Sequence, residues 1–236
     1  MVFVLIALVF AIAFWVYPWL RTRFARTARL VEWFRHGDEH TDWVIKAGVR
    51  CGNAPFILPT DGYIGFLWGD SLQLGHQHQG IDIFGGNEPG VTPVIAAYAG
   101  YLTRLPDWKS SLIIRIPQDP RQPERQIWMY YTHLADASGL PLIDSEFPPG
   151  TEEKYVEIGT RLGHQGNYSG DPFNPVGVHL HFSIVLDRGV DVESPLGGFL
   201  NELDIHNTLD PSPYLGLSLN AAQNQGKIII CENEER

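Results

Sequence analysis

The chain has 236 residues, 44% of them hydrophobic and 19% charged, which suits a globular domain with an extra segment and excludes an extended disordered chain. The net charge of -10, with no Lys/Arg cluster in the globular part, argues against nucleic acid as a partner, because a phosphate-binding face needs such a cluster. The 24 glycines, 17 prolines and 12% aromatic content point to short strands and frequent turns.

Residues 1–20, MVFVLIALVFAIAFWVYPWL, carry no charge and are long enough to cross a bilayer as a helix. Trp15, Tyr17 and Trp19 sit at one end, where an interfacial belt belongs. No basic segment precedes the run and no small-residue cleavage site ends it, so it reads as a transmembrane anchor rather than a signal peptide. Arg21, Arg23, Arg26 and Arg29 follow directly and, by the positive-inside rule, draw the following domain towards the cytoplasm. Residues 21–47 read as a helical juxtamembrane linker, with Leu30, Trp33 and Phe34 at helical spacing.

From residue 48 to 216 the pattern is a mainly β, antiparallel domain. The runs PVIAAYAGYLTRL, SLIIRI, QIWMYYTHL and VHLHFSIVL are short, apolar and β-branched, and Gly, Pro, Asp and Asn separate them. Residues 117–126 read as a polar hairpin tip and 135–155 as a long surface excursion. The GHQG stretch at 163–166 reads as a turn with His164 exposed. Residues 217–236 read as a tail ending in the solvated stretch CENEER. Cys51 and Cys231 bracket the globular part; they either pair in an oxidising compartment or remain unrelated thiols.

Nine histidines are present, and their placement is uneven. In GVHLHFSIV, a strand puts His179 and His181 on one face and Leu180 and Phe182 on the other. Two imidazoles on one face are poor core material and good zinc ligands. In GHQHQGIDIF, an extended chain brings His78 and Asp82 to one face while Ile81 and Ile83 face the core. His76 lies further from that strand and is the weaker ligand candidate. His133 ends the aromatic run MYYTHL. His206 has no metal spacing and reads as a surface residue. Tyr98, Tyr130, Tyr131 and Tyr168 either line a groove or pack across strands. RHGDEH places His36, Glu39 and His40 in an HxxEH pattern, but Gly37 costs ~1 kcal/mol of helix preference within it. It reads as a charged juxtamembrane surface.

HQGID, PVIAAYAG, YYTHL, GTRLGHQGNYSG and GVHLHFSI, in that order, resemble the lysostaphin/LytM-type zinc metallopeptidases over about residues 54–187. The resemblance implies a β-rich, largely antiparallel peptidase domain with an open groove. It implies one Zn²⁺ held by His78, Asp82 and His181, with His179 and His133 as catalytic histidines. His179 is read as the base and His133 as the oxyanion stabiliser, although either order is open. The implied substrate is the peptide part of bacterial peptidoglycan, which lies outside the cytoplasmic membrane, so the domain is expected there despite the arginines. Relatives that have lost their ligands act as scaffolds, whereas here all five positions are filled. A secreted protein as substrate remains an alternative.

Overall fold

The computed structural model describes residues 27–70, 76–188, 196–200, 202–217 and 227–231. The expected membrane span over residues 1–20 lies outside them, and among the described residues no helix is long and apolar enough to cross a membrane.

The described chain opens with helix α1 over 27–36. It stops where Gly37 begins a 3-10 turn, Gly37–Glu39, followed by a second, Thr41–Trp43. The expected helix over 21–47 is therefore shorter. Val44 and Ile45 are β-branched and find a partner strand, so they form β1 (Val44–Ile45) instead of continuing the helix. The strands β2 (Gly62–Phe66), β3 (Ile81–Phe84), β4 (Pro93–Ile95), β5 (Gly100–Arg104), β6 (Leu112–Ile116) and β7 (Ile127–Thr132) follow. After them come β8 (Thr151–Val156), β9 (Arg161–His164), β10 (Leu180–Leu186), β11 (Thr208–Leu209) and the short helix α2 (Ser212–Leu215).

Among the described residues the main sheet is nine-stranded and runs β1-β2-β3-β10-β7-β6-β5-β8, with β11 added beside β10; β4 and β9 form a second, two-stranded sheet. All these pairings are antiparallel. Alternation along the central strands divides the main sheet into two faces. Leu180, Phe182 and Ile184 of β10, Met129 and Tyr131 of β7, Leu112 and Ile114 of β6, and Ile81 and Ile83 of β3 share one apolar core. Burying a side chain of this kind contributes roughly 1.5–3 kcal/mol. The opposite face carries Asp82, Thr132, His181 and Ser183.

Three further expectations are corrected. The excursion at 135–155 is not all surface, because 151–156 forms the edge strand β8 and Phe147 is fully buried. Residues 163 and 164 belong to β9, not to a turn; His164 is half-buried, and the Gln165 side chain is fully buried, donating to Thr60 Oγ1 at 2.9 Å. The C-terminal stretch is not wholly a solvated tail: Cys231 is disulfide-bonded to Cys51, Leu217 bridges Cys231, and Ile229 joins the core. Closing a loop of 180 residues contributes about 5 kcal/mol in the chain-entropy description. The hairpin tip at 117–126 joins β6 to β7, as expected.

Candidate functional site

The site forms where the three central strands meet. Asp82 in the middle of β3 pairs directly with His181 on β10, and His181 pairs on its other side with Thr132 of β7. His78 does not lie on the strand. The segment before β3 bends back, held by His78 N–H donating to Asp70 O at 2.7 Å and Gly69 N–H donating to His78 O at 2.7 Å. His78 and Asp82 converge as expected, but through this bend rather than through strand alternation. Gly80 permits the bend. A Cβ there would stand 2.6 Å from Ser183 Oγ and 3.0 Å from His181 Nε2, and would also strike the Phe182 carbonyl oxygen.

His78 Nε2 lies 3.0 Å from Asp82 Oδ1 and 3.0 Å from His181 Nδ1, and His181 Nδ1 lies 2.8 Å from Asp82 Oδ1. Among the described residues this is the one His/Cys/Asp/Glu cluster with metal-ligand spacing. Tautomers follow from the remaining nitrogens. His78 Nδ1 donates to Leu67 O at 3.1 Å, so Nε2 holds the lone pair. A proton on His181 Nε2 serves Ser183 Oγ at 2.8 Å and leaves the lone pair on Nδ1. Two imidazole lone pairs and a carboxylate oxygen thus point at one another, an arrangement that repels unless a cation stands between them. Four ligands at zinc bond lengths stand roughly 3.3 Å apart, so a few tenths of an ångström of opening would seat the ion. The donor set fits Zn²⁺ by residue type and by spacing.

The same need for positive charge shows in the protonation equilibria. Burial opposes ionisation of Asp82, yet His78, His179 and, where a proton rather than an ion occupies His181 Nδ1, the hydrogen bond from that ring outweigh it and hold the carboxyl well below its ordinary range. Burial likewise opposes protonation of His181, but Asp82 and the nearby Glu202 carboxylate raise it to about 10.

The other two expected histidines stand beside the triad. His179 precedes β10, bridges Gly166, and places Nε2 3.7 Å from Asp82 Oδ1. Its ring stacks on Phe84 at 4.9 Å between centroids, and its Nδ1 donates to Gly177 O at 2.6 Å. His133 follows β7 with a left-handed φ of 68°, uncommon for a residue with a side chain and a mark of local strain at a site. Its Nδ1 donates to Tyr168 O at 2.7 Å, and its ring centre is 4.4 Å from that of His179. In both rings the Nδ1 proton is committed to a carbonyl, so Nε2 is the basic atom. Burial lowers both, His133 to about 3 with His179 adding to the effect. A neutral His133 therefore has no Nε2 proton to offer an oxyanion until it has taken one.

An open cleft of about 740 Å³ runs over these groups. One wall carries a hydroxyl chain in which Ser111 Oγ lies 3.1 Å from the Tyr130 hydroxyl and 2.7 Å from Thr132 Oγ1. Tyr130 and Tyr168 line the cleft, whereas Tyr131 is core and Tyr98 packs against the core. His76 also reaches the cleft but lies outside the ligand cluster. His206 is exposed. His36 and Glu39 approach to 3.4 Å, while His40 turns to Glu32 at 3.3 Å and stacks on Trp43, so the HxxEH residues disperse.

Several contributors were not anticipated, Ser111 and Thr132 of the hydroxyl wall among them. Leu30 and Phe34 of α1 line the cleft, and Phe34 packs edge-on against Phe84. Glu202 comes from the connection before β11 and lies 3.7 Å from His181 Nε2. Ser183 was within reach of the alternation argument, since it shares a strand face with His181.

No family profile matches the chain, and no curated protein matches it. Among solved structures, it is similar to the catalytic domain of the antimicrobial peptidase lysostaphin from Staphylococcus simulans at TM-score 0.40 and 18% identity, covering 64% of this chain and 89% of that one. A structure from Pseudomonas aeruginosa described as a peptidase M23 is similar at TM-score 0.38 and 18% identity, covering 81% of this chain and 61% of that one. A structure described as a glycyl-glycine endopeptidase LytM from Ruminococcus gnavus is similar at TM-score 0.36 and 24% identity, covering 58% of this chain and 45% of that one.

Proposed function

We propose that this chain is a zinc-dependent metalloendopeptidase acting on peptide bonds of peptidoglycan. The observation that carries the reading is the closed triangle of His78 Nε2, Asp82 Oδ1 and His181 Nδ1, with the basic Nε2 of His179 beside it. These three residues would hold a zinc ion, which would supply Lewis-acid activation of the attacking water and of the scissile carbonyl. His179 Nε2 takes the proton of the attacking water and passes it to the leaving amine. Its Nδ1–H to Gly177 and the stack on Phe84 keep the ring aimed through that exchange. His133 is a second proton acceptor, and once protonated it becomes a donor to charge developing on the scissile carbonyl oxygen. The Ser111, Tyr130 and Thr132 hydroxyls offer hydrogen bonds to a peptide backbone laid in the cleft.

The peptidoglycan assignment is supported by the order of the motifs. Anchoring through residues 1–20, with the domain outside the cytoplasmic membrane, is supported by the uncharged run and by the Cys51–Cys231 bond, since disulfides persist in oxidising compartments. The test incubates the full-length protein with purified peptidoglycan, with and without a chelator, and identifies released fragments by mass spectrometry. Chelator-sensitive peptide fragments are expected and would name the bond. Intact peptidoglycan after treatment with folded, zinc-loaded protein would overturn the substrate assignment.

A further inference from the structure

Glu202 stands across the His181 ring from the ligand triad. Asp82 Oδ1 faces Nδ1 at 2.8 Å, whereas Glu202 Oε2 faces Nε2 at 3.7 Å. That placement rules it out as a fourth ligand, because one imidazole separates it from the point where His78, Asp82 and His181 converge. Yet the carboxylate is largely withdrawn from solvent, its side chain only 15% exposed. Among the described residues, its Oε2 is buried and accepts no hydrogen bond. A buried carboxylate oxygen with no donor is costly and needs a counter-charge. The nearest group able to supply one is His181, whose Nε2 proton also serves Ser183 Oγ at 2.8 Å.

We infer that Glu202 is a positioning residue for the metal site: with Ser183 it holds His181 in the Nε2–H form, and its charge balances an ion bound at Nδ1. This rests on the zinc reading above. A divalent ion with neutral His78, neutral His181 and one carboxylate, Asp82, leaves one net positive charge in a buried place. A second carboxylate behind His181 cancels it and strengthens the imidazole as a ligand. The structure divides the labour: Ser183 gives direction at hydrogen-bond distance, and Glu202 gives charge from just behind. Gly80 belongs to the same arrangement, since a Cβ there would press on both Ser183 Oγ and His181 Nε2.

The experiment measures zinc affinity of the full-length protein by competition with a chromogenic chelator, for the wild type, Glu202→Gln, Ser183→Ala and His181→Ala. Thermal unfolding of the metal-free proteins is followed in parallel. Glu202→Gln keeps the shape and removes the charge, and is expected to weaken zinc roughly 10- to 100-fold with unfolding unchanged. In the zinc-loaded proteins the His181 Nε2–H proton resonance is expected to move upfield in Glu202→Gln, a change that a purely structural role would not cause. Zinc affinity within twofold of the wild type in Glu202→Gln, beside loss of zinc in His181→Ala, would overturn the role of Glu202 and leave the metal site standing. A wild-type protein that binds no zinc would overturn the metal site itself.

Discussion

The two faces of β10 do opposite work with alternate residues of one strand. Leu180, Phe182 and Ile184 are fully buried in the main core, where dispersion and water exclusion hold the sheet together. His181 and Ser183 point the other way and are nearly as buried, yet there burial brings together groups that repel without a cation. Over residues 180–183 one face stabilises the fold and the other draws on that stability to hold ligand atoms in place; further along the same strand, Val185 shares the side of His181 yet packs in an apolar cluster with Ile113 and Trp128. Affinity and folding should therefore separate by residue parity over that stretch.

The sharpest way to break this comparison is at the ligands. His78→Ala, Asp82→Ala and His181→Ala are each expected to abolish zinc retention, while the metal-free His181→Ala protein unfolds no earlier than the wild type. Stoichiometric zinc by elemental analysis in all three variants would sink the assignment. Next comes His179→Ala, which should keep zinc and lose turnover by roughly 10²–10⁴-fold, the usual worth of a general base. An active His179→Ala protein would move the base role to His133. On the opposite face, Phe182→Ala should cost about 3–5 kcal/mol of stability through the cavity it leaves. Denaturant unfolding checks it, and a zinc affinity per folded molecule near that of the wild type would confirm that the faces act separately. Gly80→Ala sits where the faces meet. Its Cβ would collide with the Phe182 carbonyl and Ser183 Oγ, so a loss of about 1–3 kcal/mol together with weakened zinc is expected. Unchanged stability and affinity there would show that the bend before β3 is more forgiving than its contacts imply.

Much of the site was legible because it obeys short-range rules. The period of two in VHLHFSIV placed His179 and His181 together and Phe182 opposite, and the structure has that arrangement. His78 and Asp82 were paired correctly on a reason that proved different, since a bend at Gly80 rather than an extended strand brings them together. The helix over 21–47 was overdrawn because a helical spacing of apolar residues does not reveal that Val44 and Ile45 will find β2 as a partner. β8 was hidden in the same way: TEEKYV is polar, and only pairing with β5 at the sheet edge makes it a strand.

By itself the sequence determined the mainly β character and the alternation that sets His179 with His181, and His78 with Asp82, apart from the core; His133 entered only through the resemblance. The first two depend on residue type and on neighbours a few positions apart. Only the tertiary structure decided that Cys51 meets Cys231, that Phe34 of α1 walls the cleft, and that Glu202 stands behind His181. Those contacts join segments separated by long stretches of chain, and no local preference encodes them. They form when the sheet closes and the buried charges of its polar face must find partners.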